Sequence, residues 1–216
     1  MQIYGSPLYT DPNLVSYYRL EADGSDSIGS NNFTNGGVTF VPAKYGNGAY
    51  NNATGYLYVL TLKKAANASV SFWAKQSSEI GSGTRSLFAF DNAAGTQFSQ
   101  INYEYNGGVR RIDFAQGNAI NHNYYAVDLG TVWHNIIFID DGTYVQGYLD
   151  GVQVVINGSK GTGGGQTSGY CTFLSGTDSY FLGTMDDLGV WNDVLTPAEI
   201  KMLSTDTQGG FFLNLI

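Results

Sequence analysis

The chain has 216 residues, 43% of them hydrophobic, which is enough to bury one substantial core. Only 13% of the residues are Asp, Glu, Lys or Arg, and the formal net charge is −8, so the clustered basic residues that bind nucleic-acid phosphates are missing. The sequence has no uncharged apolar run of membrane-spanning length and no visible secretion signal at its start. We therefore expect neither a nucleic-acid partner nor membrane insertion.

Runs of β-branched and aromatic residues recur along the chain, separated by clusters of Gly, Asn, Asp and Ser. This pattern is typical of many short strands joined by turns. The predicted strands are Leu14–Leu20, Val38–Phe40, Tyr56–Leu60, Ala68–Ala74, Ser86–Asp91, Gln97–Tyr105, Val109–Ala115, Trp133–Asp140, Tyr144–Leu149, Val152–Ile156, Phe181–Gly183 and Met185–Trp191. They predict an all-β fold of two packed antiparallel sheets.

Two Asp-Gly turns support antiparallel pairing in the middle of the chain. The segments Asp140–Gly142 and Asp150–Gly151 separate three consecutive predicted strands. Tight hairpin turns need residues that accept a positive φ, and Asp-Gly pairs supply them. We expect two successive hairpins here, and we expect the lone Cys171 to be a buried or half-buried strand thiol.

One short helix is predicted near the C-terminus. Thr196 can cap it, Pro197 suits its first position, Glu199 completes a capping box, and Ile200 with Leu203 forms an apolar side.

We expect one domain over residues 1–216, with its core at about 14–203. The glycine-rich segment Asn157–Gly169 is predicted to be a surface loop rather than a linker. The tail Ser204–Ile216 ends in apolar residues, which we expect to pack on the parent sandwich or to dock on a partner or a neighbouring subunit.

Four segments, taken in order, resemble the laminin G-like jelly-roll domains of the concanavalin A-like lectin/glucanase superfamily. They are Leu14–Asn32, Tyr45–Val59, Ser69–Lys75 (SVSFWAK) and Trp133–Val154, and the last is continued by Gly183–Leu203 (GTMDDLGVWNDVLTPAEIKML). The resemblance implies a two-sheet β-sandwich that binds carbohydrate or protein. It implies an extracellular or virion-surface location, although fold alone does not fix function.

Catalysis is not expected. Glucanases of this superfamily carry Glu-x-Asp-x-Glu on one strand, whereas the four Glu residues of this chain, Glu21, Glu79, Glu104 and Glu199, form no such pattern. His134 is predicted to be a hydrogen-bonded structural residue at a strand entry, and no G-x-S-x-G motif accompanies either histidine. A glucanase or polysaccharide lyase is the least favoured alternative.

Acidic residues near the two ends of the sandwich suggest a structural calcium ion, since calcium binds carboxylate and carbonyl oxygens. The candidate ligands are Asp23, Asp26, Asp186 and Asp187. By strand alternation Asp186 shares a face with Leu188 and Val190, and we expect its carboxylate to point toward the core and to need a partner. The alternative, which is equally favoured, is that Asp23, Asp26 and Asp187 form turns or are solvated.

The candidate glycan-binding residues are aromatic and polar side chains, which stack on sugars and bond their hydroxyl groups. They are Tyr103, Tyr105, Asn121, His122, Tyr124 and Tyr125, the last four in a predicted loop. We therefore expect a non-catalytic carbohydrate-binding or adhesion module. The alternative is a structural virion display protein, such as a phage decoration or tail-associated component.

Overall fold

Fifteen strands and one helix form the regular structure in the computed structural model, which describes residues 8, 10–52, 54–91, 99–117, 121–161, 169–175 and 180–205. The strands are β1 (Leu14–Tyr18), β2 (Thr34–Asn35), β3 (Thr39–Pro42), β4 (Asn47–Asn52), β5 (Leu57–Val59), β6 (Ala68–Gln76), β7 (Gly83–Phe90), β8 (Ser99–Asn106), β9 (Val109–Gln116), β10 (Tyr124–Ala126), β11 (His134–Asp140), β12 (Val145–Leu149), β13 (Val152–Gly158), β14 (Cys171–Phe173) and β15 (Leu182–Trp191). The helix is α1 (Pro197–Ser204).

The strands pair into two antiparallel sheets. The first sheet has the order β13-β12-β11-β6-β15-β4-β3, with β1 also paired to β15, and the second has the order β10-β9-β8-β7-β14-β5-β2. Consecutive strands β7 to β10 are neighbours in the second sheet, whereas β15 joins the first sheet between β6 and β4. The predicted all-β sandwich is confirmed, and the N-terminal strand does pair with the last strand.

Aromatic side chains from both sheets meet in the core between them. The ring of Phe72 on β6 lies 6.3 Å from Phe88 on β7 and 5.5 Å from Phe173 on β14, measured between ring centroids. Phe33 stacks on Phe173 at 6.2 Å. Burial of these rings and their aliphatic neighbours away from water is the main force that holds the sheets together.

Helix α1 covers the outer face of the first sheet. Thr196 accepts a hydrogen bond from Glu199 N while the Glu199 side chain bonds back to Thr196 N, so the predicted capping box is present. Ile200 and Leu203 are buried in a second apolar cluster with Leu8, Leu14, Tyr17, Ile137, Ile139, Trp191 and Leu195. The predicted short C-terminal helix is confirmed.

The local predictions hold for the turns and for the thiol. Asp150 and Gly151 have φ values of 51° and 78° and form the two-residue turn between β12 and β13. Gly142 has a φ of 87° in the preceding turn. Cys171 is buried on β14.

Five elements differ from the prediction. The short strands β2 and β14 were not among the predicted strands, although Cys171 on β14 was expected to be a strand thiol. Strand β4 was not predicted because Gly and Asn residues dominate its sequence. Strand β10 forms in a segment predicted to be a loop, since pairing with β9 compensates for its short length. Phe181–Gly183 and Met185–Trp191 were predicted as separate strands, but β15 runs continuously through them with a register shift between Asp186 and Gly189.

Some predicted features lie outside the described residues. These are most of the N-terminal extension, the centre of the loop Asn157–Gly169, the first residues of the strand predicted at Gln97–Tyr105, and most of the tail Ser204–Ile216. Among the described residues, no helix is long and apolar enough to cross a membrane.

A buried ion-pair cluster lies at the end of β11. Lys64 Nζ is 2.5 Å from Asp140 Oδ2, and both side chains are fully buried. Lys160 Nζ approaches the other oxygen, Oδ1, at 2.6 Å, and Gly142 N donates to the same atom. A buried carboxylate needs such partners because transfer out of water is costly. The cluster therefore holds the segment before β6 and the segment after β13 against the end of β11.

We predict that Lys64→Met lowers the free energy of unfolding by about 2 kcal/mol, because Asp140 would keep only one cationic partner in a buried position. Urea unfolding measures the effect, and Lys63→Met is the matched control because Lys63 is exposed. Equal stabilities for the two variants would contradict the structural role of the cluster.

His134 joins the entry of β11 to two neighbouring segments. Its Nδ1 lies 2.7 Å from Asp150 Oδ2 and its Nε2 lies 2.9 Å from the Leu129 carbonyl oxygen. Both partners are acceptors, so the protonated imidazolium satisfies both contacts, and the hydrogen bond to Asp150 raises the pKa of His134. The prediction of a hydrogen-bonded structural histidine is confirmed.

The raised pKa of His134 makes its contribution dependent on pH. This contribution is fully present below the unfolded-state value of 6.5 and is lost as the pH rises through the higher folded-state value. We expect His134→Gln to destabilise the protein by about 0.5 kcal/mol more at pH 5.5 than at pH 9. Asp150→Asn keeps the turn geometry, and its loss of unfolding free energy, measured with urea, should also be larger at pH 5.5 than at pH 9. A loss that is the same at both pH values in both variants would contradict this role of His134.

Candidate functional site

The outer face of the second sheet carries polar side chains along its central strands. On β8, Ile101 and Tyr103 point into the core, and alternation places Gln100, Asn102 and Glu104 on the opposite face. On β9 the core residues likewise alternate with polar or small ones, whereas on β7 a register shift between Ser86 and Phe88 interrupts the alternation. We call this outer surface the polar face.

One row of the polar face crosses the strands at right angles. Tyr124 on β10 lies opposite Asp113 on β9, which lies opposite Asn102 on β8. Asn102 lies opposite Ser86 on β7, and Ser86 forms a β-bridge with Tyr180. This central row therefore has a tyrosine at each end and three polar residues between them.

A parallel row lies one pleat along the strands. It runs from Tyr58 on β5 through Thr172 on β14, Ala89 on β7 and Gln100 on β8 to Ala115 on β9. Ala89 and Ala115 are 1% and 0% exposed, and Gln100 and Thr172 are also buried. The second row is therefore a buried layer beside the central row, with the half-buried Tyr58 at its end.

Three polar atoms in these rows are buried and have no hydrogen-bond partner in the part of the chain that the structure describes. They are Ser86 Oγ, Gln100 Oε1 and Asn102 Oδ1, in residues that are 0%, 3% and 2% exposed. Buried polar atoms are nearly always hydrogen-bonded in proteins, and an unpaired one costs about 1–3 kcal/mol. Three such atoms on one patch are typical of a site that a ligand or ordered water completes.

Asp113 anchors the β10 end of the polar face. Its Oδ2 lies 2.6 Å from His122 Nδ1, and its Oδ1 accepts a hydrogen bond of 3.0 Å from Asn123 N. Burial raises the pKa of Asp113, while the bond to His122 opposes that rise. These contacts hold the segment before β10 against β9 and fix the orientation of the His122 ring.

A stack of side chains stands above this end. The rings of His122 and Tyr124 are parallel with centroids 5.4 Å apart, and the Arg111 guanidinium carbon lies 3.6 Å from the Tyr124 centroid. Arg111 also forms an ion pair with Glu104. Tyr124 keeps 44% exposure, so the stack still offers aromatic surface to a ligand.

Four tyrosines cluster at the opposite end of the polar face. Tyr56 lies 5.5 Å from Tyr58 and 6.2 Å from Tyr180, and Tyr58 lies 6.4 Å from Tyr170, measured between ring centroids. Tyr180 is 36% exposed and the other three are half-buried. We call these four residues the tyrosine cluster. It provides a second aromatic surface on the same face as Asn102 and Ser86.

The structure brings together only some of the predicted ligand residues. His122 and Tyr124 lie on the polar face as described, and Tyr125, opposite Ile112, points to the other side of β10. Asn121 bridges to Gln116 through its backbone. Tyr105 is half-buried against the core edge, beneath Arg110.

The prediction that Tyr103 lines a ligand surface is wrong. Tyr103 is fully buried, and its hydroxyl accepts a hydrogen bond from Leu129 N at 3.1 Å. The physical reason is strand alternation, because Tyr103 lies on the same face of β8 as the core residue Ile101.

Several residues of the polar face were not predicted. They are Tyr56, Tyr58, Ser86, Gln100, Asn102, Asp113 and Tyr180. The alternation of Gln100 and Asn102 with Ile101 and Tyr103 was a usable signal for β8. No comparable signal in the sequence showed that β7 connects β8 to β14 and β5, because this order depends on pairing between distant segments.

The carboxylate of Asp186 does not point toward the core as predicted. Asp186 lies opposite Trp73, whose neighbours Phe72 and Ala74 face the core, so both Asp186 and Trp73 face outward from the first sheet. The alternation argument failed because a bulge follows Asp186, where Asp187 has a φ of 51°. Asp186 is nevertheless fully buried, and it accepts a hydrogen bond from Tyr45 N at 2.8 Å.

The acidic neighbours of Asp186 make its ionised form unfavourable. Burial, Asp187 and, more weakly, Glu21 raise the pKa of Asp186 to about 8. Asp187 accepts a hydrogen bond from the Tyr17 hydroxyl, and Glu21 accepts one from Asn47 N at 2.9 Å. A cation beside Asp186 would favour its ionised form.

Asp23 and Asp26 instead organise their own turns. Asp26 accepts hydrogen bonds from four backbone N–H groups, those of Tyr17, Ile28, Gly29 and Asn31. Asp23 is exposed and accepts one from Ser25 N at 2.9 Å. Within the described ranges no three His, Cys, Asp or Glu side chains group closely enough to hold a metal, so the predicted set of four ligands is not assembled.

Solved structures with this fold include several carbohydrate-active proteins. Domain 4 of AbnA, an extracellular GH43 arabinanase from Geobacillus stearothermophilus, in complex with arabinotriose, has a TM-score of 0.71 and 20% identity, over 89% of this chain and 98% of that domain. Botulinum neurotoxin type C, whose cell entry depends on two ganglioside molecules, has a TM-score of 0.64 and 13% identity, over 88% of this chain and 50% of that one. Trypanosoma rangeli sialidase in complex with the inhibitor DANA has a TM-score of 0.66 and 16% identity, over 91% of this chain and 33% of the sialidase chain. This chain thus spans half of the neurotoxin chain and a third of the sialidase, and the likeness establishes the fold.

A family profile gives the assignment from sequence. The laminin G-like profile of the family described as the concanavalin A-like lectin/glucanases superfamily matches residues 45–201, which is more than half of the chain. The comparison with curated protein sequences found no match. The profile covers three of the four segments on which the resemblance rests, from Tyr45–Val59 to Trp133–Val154, and most of the continuation, as far as residue 201 within α1. The chain belongs to the laminin G-like family of the concanavalin A-like lectin/glucanases superfamily.

Proposed function

We propose that this protein is a non-catalytic carbohydrate-binding module that holds its ligand on the polar face of the second sheet. The observation that carries the proposal is the central row, in which Ser86, Asn102 and Asp113 lie between Tyr180 and Tyr124. The proposal implies an extracellular location, as in the arabinanase that contains the similar domain.

The chemistry of the polar face matches that of a sugar. A glycan hydroxyl group that reaches Asn102 Oδ1 or Gln100 Oε1 would meet a buried acceptor that has no hydrogen-bond partner among the described residues. The apolar C–H faces of sugar rings pack on aromatic rings, and Tyr124 and Tyr180 supply these. The fully matched domain of the arabinanase was solved with arabinotriose, which supports a glycan ligand for this fold.

The acidic residues of the polar face have structural partners. Glu104 is held by Arg111, and Asp113 is held by His122 and Asn123 N. Hydrolysis of a glycosidic bond needs one protonated and one ionised carboxyl group directed at the sugar. The engagement of both carboxylates by neighbouring side chains supports binding without hydrolysis.

We predict that Asn102→Ala weakens glycan binding at least about tenfold, because a ligand hydroxyl loses its acceptor in a site shielded from water. A glycan array identifies the ligand and isothermal titration calorimetry measures the affinity. Asn192→Ala is the matched control, since Asn192 is exposed and follows β15 of the other sheet.

Two outcomes would contradict the proposal. If the wild-type protein binds no glycan on the array, a carbohydrate ligand is ruled out. Release of reducing sugar by the wild type, abolished in Asp113→Asn, would show an enzyme instead of a binding module.

The structural calcium ion expected from the sequence is a second proposal, now centred on Asp186. Its support is a buried carboxylate whose ionisation is opposed by burial and by neighbouring acidic groups. Asp187 and Glu21 act on Asp186 electrostatically but do not group with it closely enough to share an ion, so carbonyl and water oxygens would have to complete the calcium coordination. The ion would fasten the turn that carries Tyr45 to β15.

We predict that calcium raises the melting temperature of the wild type relative to EDTA, and that Asp186→Asn removes this difference. Differential scanning calorimetry at pH 7.5 makes the comparison. Asp23→Asn is the control, because Asp23 is exposed, and it should behave like the wild type. A wild-type melting temperature that is the same in calcium and in EDTA would exclude the ion.

A further inference from the structure

We propose that the apolar segment of residues 211–216 packs along strand β13 of the same chain and covers its exposed valine and isoleucine side chains. This contact lies on the first sheet, away from the polar face. It would exist whether or not the polar face binds a glycan.

Strand β13 carries the two most exposed large apolar side chains in the described part of the chain. Val152 is 65% exposed and Ile156 is 68% exposed, and Val154 between them is half-buried. The strand has the sequence VQVVING, without a charged residue or a proline. Edge strands usually carry such residues or are covered, because an uncharged apolar edge associates with other chains. An occupant that buries these side chains would remove that hazard.

The free edge of β13 determines what kind of contact is available. β13 is the outermost strand of the first sheet, and among the described strands it pairs with β12 alone. That pairing contains two register shifts, which make the strand irregular. Beyond its far end, Asn123 Nδ2 donates to the Ser159 carbonyl oxygen at 3.0 Å. A covering segment would therefore contact side chains between Val152 and Ile156 rather than extend the hydrogen-bond ladder.

Helix α1 ends beside the start of β13. Ser204 Oγ donates to Asn135 Oδ1 on β11 at 2.9 Å, and a Cβ atom at Gly151 would lie 3.0 Å from Ser204 Cβ. Gly151 directly precedes Val152. The chain that follows α1 therefore starts next to the exposed end of β13, which favours a contact within one chain.

The segment has the composition and the reach that this contact needs. Residues 211–216 have the sequence FFLNLI, in which five of six side chains are apolar and none is charged. Six residue steps separate Thr205 from Phe211 and span up to about 20 Å. β13 has seven residues and is also about 20 Å long. The segment can therefore reach every part of β13, and mutual burial of the apolar side chains is favourable.

Disulfide trapping in the full chain tests the contact. Phe212→Cys is combined with Val152→Cys or with Ile156→Cys, and Cys171 does not compete because it is buried. At least one of these pairs should form a disulfide within one chain about tenfold faster than Phe212→Cys with Leu60→Cys, because proximity raises the effective concentration. Leu60 is the matched control, since it is 61% exposed and follows β5 of the other sheet. Peptide mass mapping in oxidised glutathione measures the rates.

Thermal unfolding tests whether the contact stabilises the protein. Val152→Thr with Ile156→Thr keeps β-branched side chains and removes apolar surface. This double variant should lower the melting temperature by about 3 °C in the wild-type background, and by less than about 1 °C when Phe211→Ser and Phe212→Ser are also present. Leu60→Thr should give the same shift in both backgrounds.

Three results would overturn the proposal. Disulfides that form only between two chains would show that the segment covers β13 of a second copy. Equal trapping rates for the β13 pairs and the Leu60 pair would show that the segment does not lie on β13. Additive shifts in melting temperature would show that the segment does not bury Val152 and Ile156. Fast trapping within one chain together with non-additive shifts supports the contact.

Discussion

The aromatic layer between the two sheets determines which side chains this protein presents to the outside. Phe72, Phe88 and Phe173 lock the inner faces of three strands together, and alternation then fixes the outer face of each strand. A shift of one residue on β8 would bring Asn102 into the core and Tyr103 out of it. The polar face is therefore a consequence of core packing, even though none of its residues contributes to the aromatic layer.

Strand β15 plays the corresponding part in the first sheet. One of its edges pairs with β6 along its length, and the other pairs with β4 before the bulge and with β1 after it. The bulge lies where one neighbour ends and the next begins, and it places Asp186 and Asp187 in that gap. Because strand pairing is interrupted there, the Asp186 oxygens accept hydrogen bonds from Tyr45 N and Asp187 N instead. The acidic group is thus a product of topology.

Local patterns in the sequence were sufficient for the fold class, the hairpin turns, the capped helix and most strands, because each depends on residues near one another in the chain. They were insufficient for β10, whose three residues form a strand only by pairing with β9, and for Asp186, whose orientation depends on a bulge. Part of the candidate site could not be predicted from local sequence patterns either. His122 and Tyr124 stood out by composition, whereas Tyr58 and Tyr180 join the face only through pairing with distant segments.

Strands β7 to β10 follow one another in the chain and lie side by side in the sheet. The central residues of the polar face therefore come from one contiguous stretch, residues 83–126, whereas β15 assembles its neighbours from both ends of the chain. Exchange of that stretch between relatives would replace most of the polar face and leave the pairing of the terminal strands intact. Changes to the polar face can therefore occur separately from changes to the pairing that joins the two ends of the chain, with the inward residues of the same strands as the main shared constraint.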